Sequence, residues 1–224
     1  MIMQKRTFGS LMLLFATVIW GSALVSQSVA MNYLQPFSFQ TIRCFLFFLI
    51  MLPIIYLLDR ASGKKGFLKG WQNKTLWKAG ILCGIPLFLA CNLQQFALVD
   101  TDAGKAGFLT AMYIVFVPIF GIFRKKKPSA LVPISVILAV TGLYLLSCVG
   151  VKSIHTGDLL LIGCAVMFAI QINVIDHFVS RVDSLRFNAI EIFVCTVLSA
   201  IMMVTTEAPT VKGIMQCLPQ LAHT

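Results

Sequence analysis

From Phe37 to Leu58 the chain reads FSFQTIRCFLFFLIMLPIIYLL, with Arg43 as its one charged residue. A helix needs about 20 mostly apolar residues to cross the hydrocarbon of a bilayer, and this stretch is long enough. Working outward from it, six further stretches read the same way: Phe8–Ala30, Leu76–Ala97, Ala106–Phe123, Ala130–Gly150, Asp158–Val179 and Phe187–Thr205. The connections are short, the longest being Asp59–Thr75, so the spans are expected to pack as an antiparallel bundle. The expected fold class is therefore an all-α integral membrane protein with seven transmembrane helices.

Composition agrees. Apolar residues make up 58% of the chain and charged residues 12%, with a mean hydropathy of +0.90. A soluble domain is about 45–50% apolar and about 25% charged, so too few charges exist here to make a polar skin. The net charge of +10 does not imply a nucleic-acid partner, because the basic residues sit in short loops between apolar runs. Lys5, Arg6, Arg60, Lys64, Lys65, Lys69, Lys74, Lys78, the run Arg124–Lys127, Arg181 and Arg186 fall on one side. Only Lys105, Lys152 and Lys212 fall on the other. By the positive-inside rule the N-terminus is cytoplasmic and Thr224 lies outside, in a cell (plasma or inner) membrane. The first span is preceded by Lys5 and Arg6 and ends in Ser28-Val29-Ala30, like a signal peptide. Its apolar run exceeds the about 7–15 residues of a signal core, so it reads as a retained helix. Cys44, Cys83, Cys91, Cys148, Cys164, Cys195 and Cys217 are scattered with no CxxC spacing and read as small packing residues.

Sliding the chain on itself gives one informative offset, 148 residues. Gly9 falls on Gly157, Leu11 on Leu159, Leu13 on Leu161, Val18 on Val166, Phe39 on Phe187, Ile42 on Ile190 and Phe45 on Phe193, with the loops in register. A first unit of five helices, 8–150, is odd in number, so a second copy starting at 157 enters from the opposite face. Inverted repeats of this kind build many secondary transporters, with the substrate site near the midplane.

Several segments then resemble the EamA-type members of the drug/metabolite transporter superfamily: Ile19-Trp20-Gly21-Ser22-Ala23, Leu34-Gln35-Pro36-Phe37 with Phe39 and Ile42-Arg43, and Leu93-Gln94-Gln95-Phe96-Ala97-Leu98. Ala106-Gly107-Phe108-Leu109-Thr110, Val115-Phe116-Val117-Pro118, Thr141-Gly142-Leu143-Tyr144-Leu145-Leu146 and Gly157-Asp158-Leu159-Leu160 continue the series. The resemblance implies ten helices in two inverted five-helix repeats that move small metabolites, often outward. Against that pattern the chain is expected to lack the last three helices. Its second repeat, 157–224, keeps two helices and the tail Glu207 to Thr224. A shortened repeat leaves one face of a central cavity open to a second copy, as a homodimer, or to a complementing chain.

Polar groups in hydrocarbon are costly and mark candidate sites. Arg43 and Glu191 are ionised residues well inside spans, and the 148 offset superposes them. Each lies about 9 Å inside a helix that starts from the opposite face, so they are expected to differ by about 12 Å in depth rather than to form a salt bridge. Trp20 and Tyr113 are placed near the midplane. Asn92 and Gln95 share a face of the third span, with Gln94 beside them. Gln171 and Asn173 point to nearly opposite sides, so only one is expected to face a cavity. Asn173, Asp176 and His177 form a stripe toward one end. The substrate-cavity candidates are Trp20, Arg43, Gln94, Gln95, Tyr113, Gln171 and Glu191. Pro86 and Pro118 are expected to interrupt the third and fourth spans, and Gly80-xxx-Gly84 and Ser22-xxx-Ser26 permit close helix approach.

These observations favour a secondary transporter, an exporter or permease, moving a small metabolite or amino-acid-like solute by alternating access. A truncated, inactive or partner-dependent membrane subunit is the alternative. No phosphate loop GxxxxGK[ST], HExxH or GxSxG occurs, and no lysine lies in the seventh span for a retinal Schiff base. No catalytic residue, cofactor or metal is expected; the expected partners are the lipid bilayer and a small-molecule substrate.

Overall fold

The computed structural model describes residues 2–63, 67–123, 132–148 and 155–207. Lys64, Lys65, the run Arg124–Lys127, Lys152, Lys212, Cys217, His223 and the tail beyond Glu207 lie outside them. Among the described residues there are eight α-helices: α1 (Ile2–Ala30), α2 (Pro36–Ala61), α3 (Lys74–Leu98), α4 (Ala103–Ala111), α5 (Tyr113–Phe123), α6 (Val132–Cys148), α7 (Thr156–Phe178) and α8 (Ser184–Met202). A 3₁₀ turn (Phe67–Trp71) joins α2 to α3, and a π turn (Met203–Glu207) extends α8.

Local chemistry sets the helix boundaries. Pro36 opens α2 after an extended Gln35, using the first-turn position where its missing N–H costs nothing. Beyond Ser62, Gly63 has φ 68°, a backbone conformation that glycine supplies without strain, and the helix stops. Asn73, Asp102 and Asp183 accept hydrogen bonds from the amides of Thr75, Gly104 and Arg186 and so cap α3, α4 and α8. At α7 the Asp158 carboxylate reaches back to the His155 amide at 3.1 Å.

Among the described residues six spans are long and apolar enough to cross a membrane, one of them running over Ala103–Ile122 of α4 and α5, and α6, at 17 residues, is the shorter seventh. Burial is the reverse of a soluble domain. Ile50 and Leu138 are 60% and 68% exposed, whereas Gln40, Gln95 and Glu191 are at most 2% exposed. That pattern suits lipid as the solvent: apolar side chains face it, and polar ones pair inside. The molecule is an all-α, multi-pass integral membrane protein.

Two expectations about prolines are corrected. Pro86 does not interrupt α3, which runs through it from Lys74 to Leu98. The fourth span is broken, but at Met112 rather than at Pro118, and becomes α4 and α5. The Met112 amide bonds to Leu109, and its carbonyl accepts from Val115 at 2.9 Å and Phe116 at 3.3 Å, a tightened turn. A proline crowds the carbonyls of the turn before it, so the defect falls upstream of Pro118.

Helix α3 lies at the centre, against α7 on one side and α8 on the other, while α2 packs along α8 and α4 and α5 pack along α7. Gly80 and Gly84 let α3 approach α8. A Cβ on Gly84 would stand 2.7 Å from the Val194 Cβ and 2.9 Å from the Glu191 carbonyl oxygen. Ser22 instead hydrogen-bonds back to Ile19 in its own helix and faces outward.

Candidate transport site

Three polar levels cross the interior. At the first, Arg43 of α2 donates to the Gln40 carbonyl oxygen at 2.7 Å and lies over the Phe39 ring. The Gln40 amide in turn reaches Cys44 at 3.1 Å and Cys195 of α8 at 3.5 Å. Around these thiols Leu87, Cys91, Cys164 and Phe168 close a buried cluster against which Tyr113 packs. Trp20 and Tyr113 both meet the Phe168 ring edge-on, at 6.0 and 6.2 Å between centroids. The two aromatics chosen from the sequence thus converge on a third, Phe168, which sequence reasoning had not singled out.

At the second level the Gln171 amide donates to the Glu191 carboxylate, and Cys83 contacts the Gln171 carbonyl. Glu191 is 2% exposed, so this amide is the neutral donor that keeps the carboxyl from standing alone in a dry interior. No ion pair joins Arg43 and Glu191 among the described residues. Cys44 meets Cys195 and Phe48 meets Phe193, so along the antiparallel α2–α8 interface Arg43 and Glu191 are offset by roughly 8–10 Å in axial register.

The third level is the amide group of α3. Asn92, Gln94 and Gln95 go to three different helices: Asn92 to Ser199 of α8, Gln94 to Thr110 of α4 and Gln95 to Gln27 of α1. Asn92 and Gln95, expected to share one face, diverge because each side chain reaches for a different buried partner. Asn92 Oδ1 and Gln95 Oε1 remain buried without a hydrogen bond. Asn173 bonds to the Val117 carbonyl of α5 and the Ala169 carbonyl, away from Gln171. Asn173 and His177 line a cleft of about 660 Å³ between α5 and α7. None of the seven cavity candidates lines it.

The ends of the α2–α8 pair are fastened by residues the sequence had left in loops or charge counts. At one end Asp59, in the last turn of α2, pairs with Arg186 in the first turn of α8. Arg186 is 4% exposed and also reaches Asp183 at 3.2 Å, with its guanidinium carbon 5.9 and 5.8 Å from the centroids of the Phe67 and Trp71 rings, which pack on each other. At the other end Glu207, just past α8, accepts from the amides of Phe37 and Ser38 at 2.7 and 2.8 Å and from the Ser38 hydroxyl at 2.6 Å. The two helices are therefore antiparallel. The offset of 148 that superposes Asp59 on Glu207 also superposes Ser38 on Arg186. A separate ion pair, Lys105–Asp158 at 2.7 Å, ties α4 to α7.

The chain is similar to an uncharacterized transporter of Archaeoglobus fulgidus, 34% identical over 180 residues, which cover 78% of this chain and 51% of that protein. It is also similar to the uncharacterized transporter YrdR of Bacillus subtilis, 29% identical over 140 residues, covering 60% of this chain and 41% of that protein. The chain thus spans about half the length of the curated relatives it matches. No solved structure matches it. The EamA-like transporter family matches residues 7–148, from the first helix through the last described residue of α6. That match covers more than half of the chain, and the chain belongs to the EamA-like transporter family.

Proposed function

We propose that this membrane transporter is a secondary carrier for a small zwitterionic, amino-acid-like solute, and that it works by alternating access between two inverted units, 8–150 and 157–224. The observation that carries the reading is the α2–α8 pair. Its two ends are closed by counterpart residues, Asp59 and Glu207 against Arg186 and Ser38. Inverted repeats place such counterparts on opposite membrane faces, with the substrate between them. Between those ends lie Arg43 and Glu191, an anion-binding and a cation-binding group offset by roughly 8–10 Å along the pair. That spacing suits the carboxylate and ammonium of an amino-acid-like molecule, with the Trp20–Phe168–Tyr113 aromatics beside it. By its loop charges the Asp59 end is cytoplasmic, in the cell membrane, and α8 runs outward.

Purified protein in liposomes should exchange a labelled zwitterionic amino acid against the same unlabelled solute, and Arg43→Gln or Glu191→Gln should lower exchange at least tenfold. Exchange that both variants leave intact would overturn the site assignment. Vesicles inert to a broad solute panel would instead favour a subunit that needs another chain. Labelling of Lys105→Cys from outside and Lys74→Cys from inside checks orientation; the reverse pattern would overturn it.

A further inference from the structure

A second cleft, of about 540 Å³, opens beside the Asp59 end of the α2–α8 pair, away from the three polar levels. Its walls are wholly apolar and mostly aromatic: Phe48 and Leu52 of α2, Leu68 and Trp71 of the 3₁₀ turn, Trp77 of α3 and Phe193 of α8. Leu68, Trp77 and Phe193 are 74%, 39% and 38% exposed, so the cleft is open toward the bilayer. Leu52 and Phe48 lie roughly 10 and 16 Å along α2 from Asp59, so the cleft runs from the membrane surface well into the hydrocarbon. An interior of that shape and polarity accepts an alkyl chain.

The mouth has a polar signature. Trp71 Nε1 is buried away from the cleft surface, which is lined by apolar atoms alone. Trp77 spends its own indole N–H on the Trp71 carbonyl at 2.7 Å. Lys74 lies one helical turn before Trp77 and Lys78 directly follows it, and both are exposed. The nearby acid, Asp59, is committed to Arg186. The cleft therefore offers an apolar slot with exposed lysine charge at its rim.

We infer that this cleft is a binding site for an anionic phospholipid, with one acyl chain between α2, Trp77 and Phe193 and the headgroup phosphate held by Lys74 and Lys78. Basic rims beside helix clefts favour anionic headgroups, at about fivefold in affinity per lysine near the surface. The site is separate from the proposed substrate site, and bound lipid would brace the 3₁₀ turn that packs on Arg186.

The test uses the full chain carrying Trp20→Phe, so that fluorescence comes from Trp71 and Trp77. The protein is reconstituted in phosphatidylcholine bilayers doped with either phosphatidylglycerol or phosphatidylcholine bearing brominated acyl chains. Brominated phosphatidylglycerol should quench at about 25-fold lower mole fraction than brominated phosphatidylcholine, a factor of about five for each lysine. Lys74→Gln/Lys78→Gln should abolish that preference while leaving quenching by phosphatidylcholine unchanged, which shows that the variant is folded and inserted. Because bromine is on the acyl chain, free phosphate cannot mimic the signal. Equal quenching by the two lipids, a preference that survives the double substitution, or no quenching by either, as when a second copy covers the cleft, would each overturn the proposal.

Discussion

The two ends of the α2–α8 pair use one geometry and two chemistries. At each end a carboxylate from the finishing helix meets the first turn of the starting helix. At the Glu207 end the acceptor faces backbone amides and a hydroxyl, so it caps α2 in place of the missing side-chain cap at Gln35. At the Asp59 end α8 already has its own cap in Asp183, and the incoming carboxylate meets the Arg186 side chain, packed beside Phe67 and Trp71. A dipole contact with backbone amides asks only that the helices stay in register. A buried ion pair also demands that both charges stay partnered, because either one alone is costly in a low-dielectric site. The Asp59 end is thus the stiffer clasp and the Glu207 end the easier one to open, an asymmetry laid over equivalent positions.

The strongest way to break this comparison is Arg186→Ala. It strands Asp59, 8% exposed, beside the vacated Phe67 and Trp71 rings, and should cost about 3–5 kcal/mol in unfolding titrations in detergent micelles followed by circular dichroism. The double variant Arg186→Met/Asp59→Leu should recover most of that loss, since it removes both charges together. A double variant as unstable as the single one would show that packing, not charge pairing, holds this end. The next largest effect is expected between the ends. Gly84→Ala inserts a methyl against Val194 and the Glu191 carbonyl and should cost about 1–3 kcal/mol in the same assay, by pushing α3 off α8. A neutral result there would mean that α8 is positioned by its two ends alone.

How much of this was legible depends on whether the signal was a pattern or a pairing. The spans were legible because hydrocarbon thickness imposes a length and a polarity that every stretch from Phe8 to Thr205 must meet, and helices α1 to α8 fall where those stretches lie. Gly80 and Gly84 were legible as a close-approach spacing because the missing Cβ acts on the adjacent helix directly. The break at Met112 was not, since Pro118 announces a defect upstream without fixing its residue. The candidate residues were legible as costly polar groups, but their connections were not. Nothing local says that Gln95 pairs with Gln27, or that Phe168, one phenylalanine among 18, is the ring on which Trp20 and Tyr113 meet. The Asp59–Arg186 clasp was hidden for another reason. Both residues sit at span ends, where solvation explains a charge cheaply, and Arg186 had been absorbed into the loop count. A signal existed all the same: the 148 offset already superposes Asp59 on Glu207 and Arg186 on Ser38.

The smaller perturbations sharpen the comparison from the Glu207 side. Glu207→Gln keeps one acceptor oxygen but removes the charge facing the α2 N-terminus, and should cost about 1–2 kcal/mol, well below Arg186→Ala. Ser38→Ala removes only the hydroxyl and leaves both backbone donors on the carboxylate. Its expected cost is about 0.5–1.5 kcal/mol, because the loss is one hydrogen bond with no stranded charge. The ordering matters more than either value. If Ser38→Ala approaches Arg186→Ala in cost, the hydroxyl carries the Glu207 end as the guanidinium carries the other, and the two clasps are equally stiff. If it stays small while Glu207→Gln is clearly felt, the end rests on backbone amides. It can then release and reform without unpairing a buried charge, which is what the side of a carrier that opens more readily requires.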